Sequence, residues 1–127
     1  MKALFYGCIS MFLILESCSY AEGDAIKEFI PGTYIRIAQT EFGKAYDTLV
    51  ITLQNKSANE YKIQRRWKYD RVLDGKPIEP EYKITETSGL YDSEKKLLQE
   101  TETLEFFSFD TKSKLMFNGA NKFNKIK

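Results

Sequence analysis

The residues able to do chemistry are few in kind. The chain of 127 residues holds no histidine and only two cysteines, Cys8 and Cys18. Histidine is the commonest general base and, with cysteine thiolate, the commonest zinc ligand. Without it there is no Ser-His-Asp triad and no histidine-activated thiolate, and with both cysteines in a leader region expected to be processed, a metal would find only oxygen ligands. The sequence contains no Asp-x-Asp-x-Asp run, phosphate loop, nucleophile elbow or dinucleotide fingerprint. Carboxylates remain, and Glu79, Glu81, Glu86 and Asp92 are close enough in sequence to suggest the acid and base of a glycosidase. Acids at that density are what a solvated surface carries in a chain that is 29% charged. The expectation is a protein without a catalytic site, metal or cofactor.

A binding constellation is better defined. In "EYKIQRRWKYDRVL" (60–73), Tyr61, Ile63, Trp67 and Tyr69 alternate with Lys62, Gln64, Arg66, Lys68 and Asp70. A period of two over this length predicts a half-buried antiparallel strand. Arg65 breaks the pattern, falling on the apolar parity between Ile63 and Trp67. In the next strand, "EYKITETSGLY" (81–91), Glu86 is the acid on the parity of Tyr82 and Ile84. If "DGKP" (74–77) closes as a four-residue loop, Trp67 faces Ile84, Tyr69 faces Tyr82 and Arg65 faces Glu86. A two-residue Asp74-Gly75 turn would instead set Arg65 opposite Ile84. Pro77 and Pro80 cannot donate to a ladder and favour the longer loop. Arg65, Trp67, Tyr69, Tyr82 and Glu86 are therefore the candidate ligand-binding residues, gathered at a barrel mouth with Arg65 and Glu86 paired. The pair would either flank a small amphipathic ligand or satisfy itself and plug the interior. Basic and aromatic residues also mix in "KIQRRWKYDR" (62–71), as in single-strand binders. Alternation along this strand sends most of them to opposite faces, and the net charge is only +1, so no nucleic-acid partner is expected.

These residues need a sheet to hold them. "TYIRIAQ" (33–39) sets Ile35 and Ile37 on one face, and "YDTLVITLQ" (46–54) sets Leu49, Ile51 and Leu53 on one face with Thr48, Val50 and Thr52 opposite. Shorter strands follow in "KKLLQE", "LEFFSF", "KLMF" and "NKFNKI". Turn chemistry separates them at "NKSAN" (55–59), "DGKP", "YDSE" (91–94), "DTKS" (110–113) and "NG" (118–119). About eight short strands with tight connections form a meander most simply, and closure removes its two open edges. The fold class is thus all-β: a small antiparallel meander over 31–127 closing into a lipocalin-like barrel of about eight strands, with an open sandwich as the alternative.

The N-terminus reads as a leader. After Met1-Lys2, Ala3–Leu15 is uncharged and mostly apolar. As a helix it would reach about 20 Å, short of the ~30 Å hydrocarbon core, and it suits the apolar region of a secretory signal. "LESC" (15–18) resembles the bacterial lipobox: Leu15, Ser17 and Cys18 match, whereas Glu16 stands where a small or apolar residue is usual. The competing site is "SYA" (19–21), which would be cut before Glu22. The expected organisation is a signal peptide and its helix over 1–17, lipidation at Cys18, a tether over 18–30 and the barrel domain from 31. A short helix over 24–29 is the other reading of the tether. Cys8 would leave with the signal, so Cys18 would have no disulfide partner. The chain would be anchored to the bacterial cell envelope by its lipid, at the outer membrane or periplasmic face. The alternative is a secreted or periplasmic soluble form.

Taken together, the leader, the cysteine, the tether, the "PGTY" opening (31–34), the meander and a last strand ending "KFNKI" (122–126) resemble small lipocalin-like lipoproteins of Bacteroidota. The chain, including "YDTLVIT" (46–52) and "LDGKPIEPEYK" (73–83), is also similar to uncharacterised lipoproteins associated with mobile or conjugative elements of that phylum. The resemblance brings no function with it; the sequence as a whole reads as a monomeric envelope lipoprotein whose non-catalytic β-barrel binds a partner protein or a small apolar ligand. Two alternatives stay open: a periplasmic accessory of a conjugation or secretion apparatus, and an inhibitor or immunity-type protein.

Overall fold

A computed structural model describes residues 25–127. The expected signal peptide, Cys18 and the start of the tether lie outside the described residues. The strands are β1 (Gly32–Thr40), β2 (Gly43–Asn55), β3 (Glu60–Leu73), β4 (Lys76–Pro77), β5 (Glu81–Asp92), β6 (Leu97–Glu100), β7 (Phe106–Asp110), β8 (Leu115–Asn118) and β9 (Asn121–Lys125). Every pairing is antiparallel. Neighbours run β1-β2-β3-β5-β6-β7-β8-β9, and β9 returns to β1. This is the expected meander, closed into a barrel of eight strands. The two-residue β4 adds to the end of β3 outside the ring.

Closure is partial along the barrel axis. β2, β3 and β5 are 13, 14 and 12 residues long, whereas β6 to β9 have four or five each. β9 meets β1 only at Tyr34 and Ile35, and β6 meets β5 only from Gly89 to Asp92. One half is thus a closed ring, and the other is a curled sheet of β1, β2, β3 and β5 with a gap opposite.

The closed half is packed. Tyr34, Leu49, Ile51, Tyr61, Ile63, Tyr91, Leu98, Phe107, Met116 and Phe123 fill it, at 0–5% exposure. These are inward positions of the period-two pattern, one or two from each strand, as small barrels require. Gly89 sits where β5 enters the ring. A Cβ there would meet Ile63 Cδ1 at 3.0 Å and Leu98 Cδ1 at 3.1 Å, so only glycine fits without repacking.

A single helical turn, α1 (25–29), closes the bottom of this half. Ile30 is fully buried, and Ile26 and Phe29 pack against the core. The Tyr34 hydroxyl donates to the carbonyls of Phe29 (3.0 Å) and Ile30 (2.8 Å), while the Lys125 ammonium donates to the Phe29 carbonyl. Of the two readings of the segment before Pro31, the short helix is the one found over its described part. Residues 25–30 are a stopper for the barrel.

The β3–β5 connection begins as the two-residue Asp74-Gly75 turn and not the four-residue loop, but the register of that turn is not carried into β5. Asp74 and Gly75 form a two-residue turn with φ of 52° and 74°, pairing Leu73 with Lys76 and Val72 with Pro77. The Ile78 N–H still donates to the Arg71 carbonyl at 3.1 Å; Glu79 and Pro80 then leave the ladder, and β5 rejoins β3 one residue out of step with that turn. Trp67 pairs with Lys83, Tyr69 with Glu81, Arg65 with Thr85, and Gln64 with Glu86. A one-residue slip moves every side chain to the other face. Tyr82, Ile84 and Glu86 accordingly point outward.

Candidate functional site: the mouth of the barrel

The open half encloses a cavity of about 610 Å³. Its wall is the inward face of the long strands. β1 supplies Arg36, β3 supplies Arg65 and Trp67, and β5 supplies Lys83, Thr85 and Thr87. Ile63 lies toward the packed core, and Glu102 and Thr103 of the β6–β7 loop form a lip.

Arg65 organises the floor. Its Nε donates to Asp47 Oδ1 at 2.9 Å and its NH2 donates to Asp47 Oδ2 at 2.6 Å, a bidentate fork. Its NH1 lies 3.7 Å from Glu105 Oε2, which also accepts from Asn118 Nδ2 at 3.2 Å. The hydrogen bonds of Asp47, with the fields of Asp47, Glu105 and Glu100, hold the guanidinium above its usual pKa despite desolvation. Asp47 comes from β2, directly opposite Trp67 and diagonal to Arg65. Glu100, at the end of β6, is only 6% exposed and lines the cavity. None of the ion pairs among the described residues uses Glu100, Arg36 or Lys83. The mouth therefore holds one neutralised arginine, a buried carboxylate and two cations of the wall.

Trp67 and Tyr69 stand on the same inward face, with ring centroids 5.6 Å apart and planes 19° from parallel. Trp67 lines the cavity, and Tyr69 stacks on Trp67 without lining it. Three of the five candidate residues, Arg65, Trp67 and Tyr69, are thus brought together.

The other two are not. Tyr82 is 70% exposed on the outer face, where Lys68 Nζ lies 5.9 Å from its ring centroid. Glu86 pairs with Lys62 at 2.6 Å, also outside. The anticipated Arg65–Glu86 pair is replaced by Arg65–Asp47, because the register turns Glu86 away and β2 brings a closer acid. The separation of bases from aromatics also fails beyond β3. Tyr46 and Tyr82, from the strands on either side, share the outer face with Lys68, which pairs with both in register.

Asp47, Glu100, Arg36 and Lys83 were not singled out from the sequence. A signal for Asp47 existed: it is the acid on the parity of Leu49 and Ile51 in β2, as Arg65 is the base on the parity of Ile63 and Trp67 in β3. Glu100 carried no such signal, being one of several acids in a polar stretch.

The chain matches no protein-family model, no curated protein and no solved structure.

Proposed function

We propose that this protein is a lipid-tethered β-barrel of the bacterial envelope that holds a small amphipathic ligand in its mouth and does not transform it. The observation that carries the reading is the half-filled barrel. Its lower half is solid, and its upper half is a cavity walled by Trp67, on which Tyr69 stacks, beside Arg36, Lys83 and Glu100. A concave site with an aromatic wall and a few placed polar groups is the usual shape of a ligand pocket. The envelope part of the proposal rests on the apolar leader and on "LESC" before the domain.

Trp67 is the only tryptophan, so its emission reports on the mouth alone. Titration with dodecanoate, dodecylamine and phenylacetate, covering apolar chains and a ring with charged heads, is expected to give a saturable change with at least one. Trp67→Ala, followed by calorimetry, should weaken that binding at least tenfold. Flat emission up to millimolar ligand in all three would sink the proposal. The anchor is tested separately by the mass of the N-terminal peptide from membranes: a diacylglyceryl Cys18 supports it, and an unmodified start at Glu22 defeats it.

A further inference from the structure

The gap that opens the mouth also exposes a strand edge. β5 pairs with β3 from Glu81 to Leu90, but β6 reaches it only at Gly89. No strand of the described chain pairs with Glu81–Ser88 on the side away from β3. Two hydrogen bonds fix which backbone groups face that side. The Ser88 carbonyl accepts the Thr101 N–H at 2.9 Å, on the open side. The Tyr91 N–H donates to the Asn59 carbonyl at 2.9 Å, on the β3 side. Backbone direction alternates along a strand, so even-numbered residues point to the gap. Tyr82, Ile84 and Glu86 therefore each present a free N–H and C=O in a row.

We propose that this edge, Tyr82 to Glu86, takes an extended peptide segment of a partner protein as an added strand. Main-chain groups in this spacing are matched by another strand, and natural proteins recognise peptides this way. The window is bounded. Pro80 lies before it, and the β6–β7 loop caps it at Ser88, where the Thr101 hydroxyl also donates at 3.0 Å. Five residues span about 17 Å, the length of a common strand.

The side chains define the guest. Tyr82 and Ile84 project outward at 70% and 66% exposure and offer apolar neighbours to the guest's outward residues. Lys83 projects inward on the same edge, outside the ion pairs among the described residues. An inward lysine blunts indiscriminate pairing. It is satisfied by a guest that places an acid opposite it, so the segment alternates apolar and polar residues with one carboxylate. A second copy of this chain fits less well. Paired antiparallel about Ile84, it would set Lys83 opposite Thr85 and Tyr82 opposite Glu86. Paired about Tyr82, it would set Pro80, which has no N–H, opposite Ile84.

The test uses the folded domain with assigned backbone amides and two capped heptapeptides. One alternates valine with threonine and carries a central glutamate; the other has lysine in that place. The glutamate peptide should slow exchange of the Tyr82, Ile84 and Glu86 amides by at least tenfold and leave Lys83 and Thr85, already bonded to β3, unchanged. It should bind at least fivefold tighter than the lysine peptide, and Lys83→Glu should reverse that order. Ile84→Pro removes a gap-facing donor without touching the β3 ladder, and should abolish the protection while circular dichroism stays native. The proposal is overturned if neither peptide protects those amides at millimolar concentration, or if Lys83→Glu leaves the order unchanged. It is also overturned if the same amides become protected by raising protein concentration alone, which would identify a second copy as the occupant. Lys83 borders both sites, so its variant is scored only on the edge amides and on peptide order; the Trp67 titration of the unaltered protein reads ligand binding in the mouth, and either proposal can fail alone.

Discussion

Arg65 is a cation facing inward between Ile63 and Trp67 of its own strand, and it is tolerable there because Asp47 meets it with both oxygens. The Asp47 side chain is 7% exposed and that of Arg65 32%, so the pair is desolvated on one side and wet on the other. Removing the acid strands a half-buried charge, whereas removing both charges costs less. Asp47→Asn should lower stability by about 2 kcal/mol, read from the urea midpoint, and adding Arg65→Met should recover part of that loss. Additive losses in the double variant would mean the pair is not coupled. The pairing error in the sequence reading has the same root. Arg65 is recognisable as out of place on its strand, but a strand has two neighbours, and the following hairpin offers only Glu86, which the register turns outward. Asp47 arrives from the preceding one.

At the level of elements, three hairpin loops repeat one design. Asn55, Asp92 and Asp110 each end a strand and turn a side-chain oxygen back onto the backbone N–H groups of the loop, at 2.9–3.3 Å. Each loop ends in a left-handed residue, Asn59, Lys96 or Lys114, with φ of 51°, 57° and 55°. Asparagine visits that conformation easily; lysine does so at a cost of about 1–2 kcal/mol. Lys96→Gly and Lys114→Gly should therefore each raise stability by about 0.5–1 kcal/mol after the entropic penalty of glycine, measured by thermal unfolding, and a loss would refute the assignment. The turns were legible in the sequence because Asn, Asp and Gly act locally. The register of β5 was not, because it depends on how the chain crosses from Ile78 to Pro80. Tyr82 and Ile84 misled for a further reason. Apolar residues mark the inward face only where a strand has an interior to face, and this part of β5 borders the gap.

Across the whole molecule, the closed half carries the titration behaviour. Burial pushes the phenols of Tyr34, Tyr61 and Tyr91 up, with Tyr61 adding to the shift of the other two and Asp92 to that of Tyr91. In the unfolded chain the same phenols ionise near their ordinary value of about 10. The unfolded state then releases protons that the folded state retains. Their contribution is complete below that value and is lost as pH rises beyond it, by up to about 1.4 kcal/mol per pH unit for each phenol. Lys125, whose pKa is lowered by burial and then by Lys114, works the other way as it loses its proton, but it is one group against three. Denaturation in urea at pH 8, 10 and 11 should show a steep fall between the last two, and a flat profile would contradict the burial of these side chains.

The stopper has a directional consequence. Residue 25 enters at the bottom of the closed half, and the chain leaves there too: the Thr33 N–H donates to the Lys127 carbonyl at 3.4 Å, and the Ile126 N–H donates to the Thr33 carbonyl at 2.9 Å. Both ends of the described chain emerge beneath the packed core, on the side away from the cavity and the open edge. Whatever holds this barrel by either end, a surface or a fused reporter, grips it by the base like a cup on a stem. The rim is left pointing out, and the protein can be immobilised for measurement without blocking what it presents.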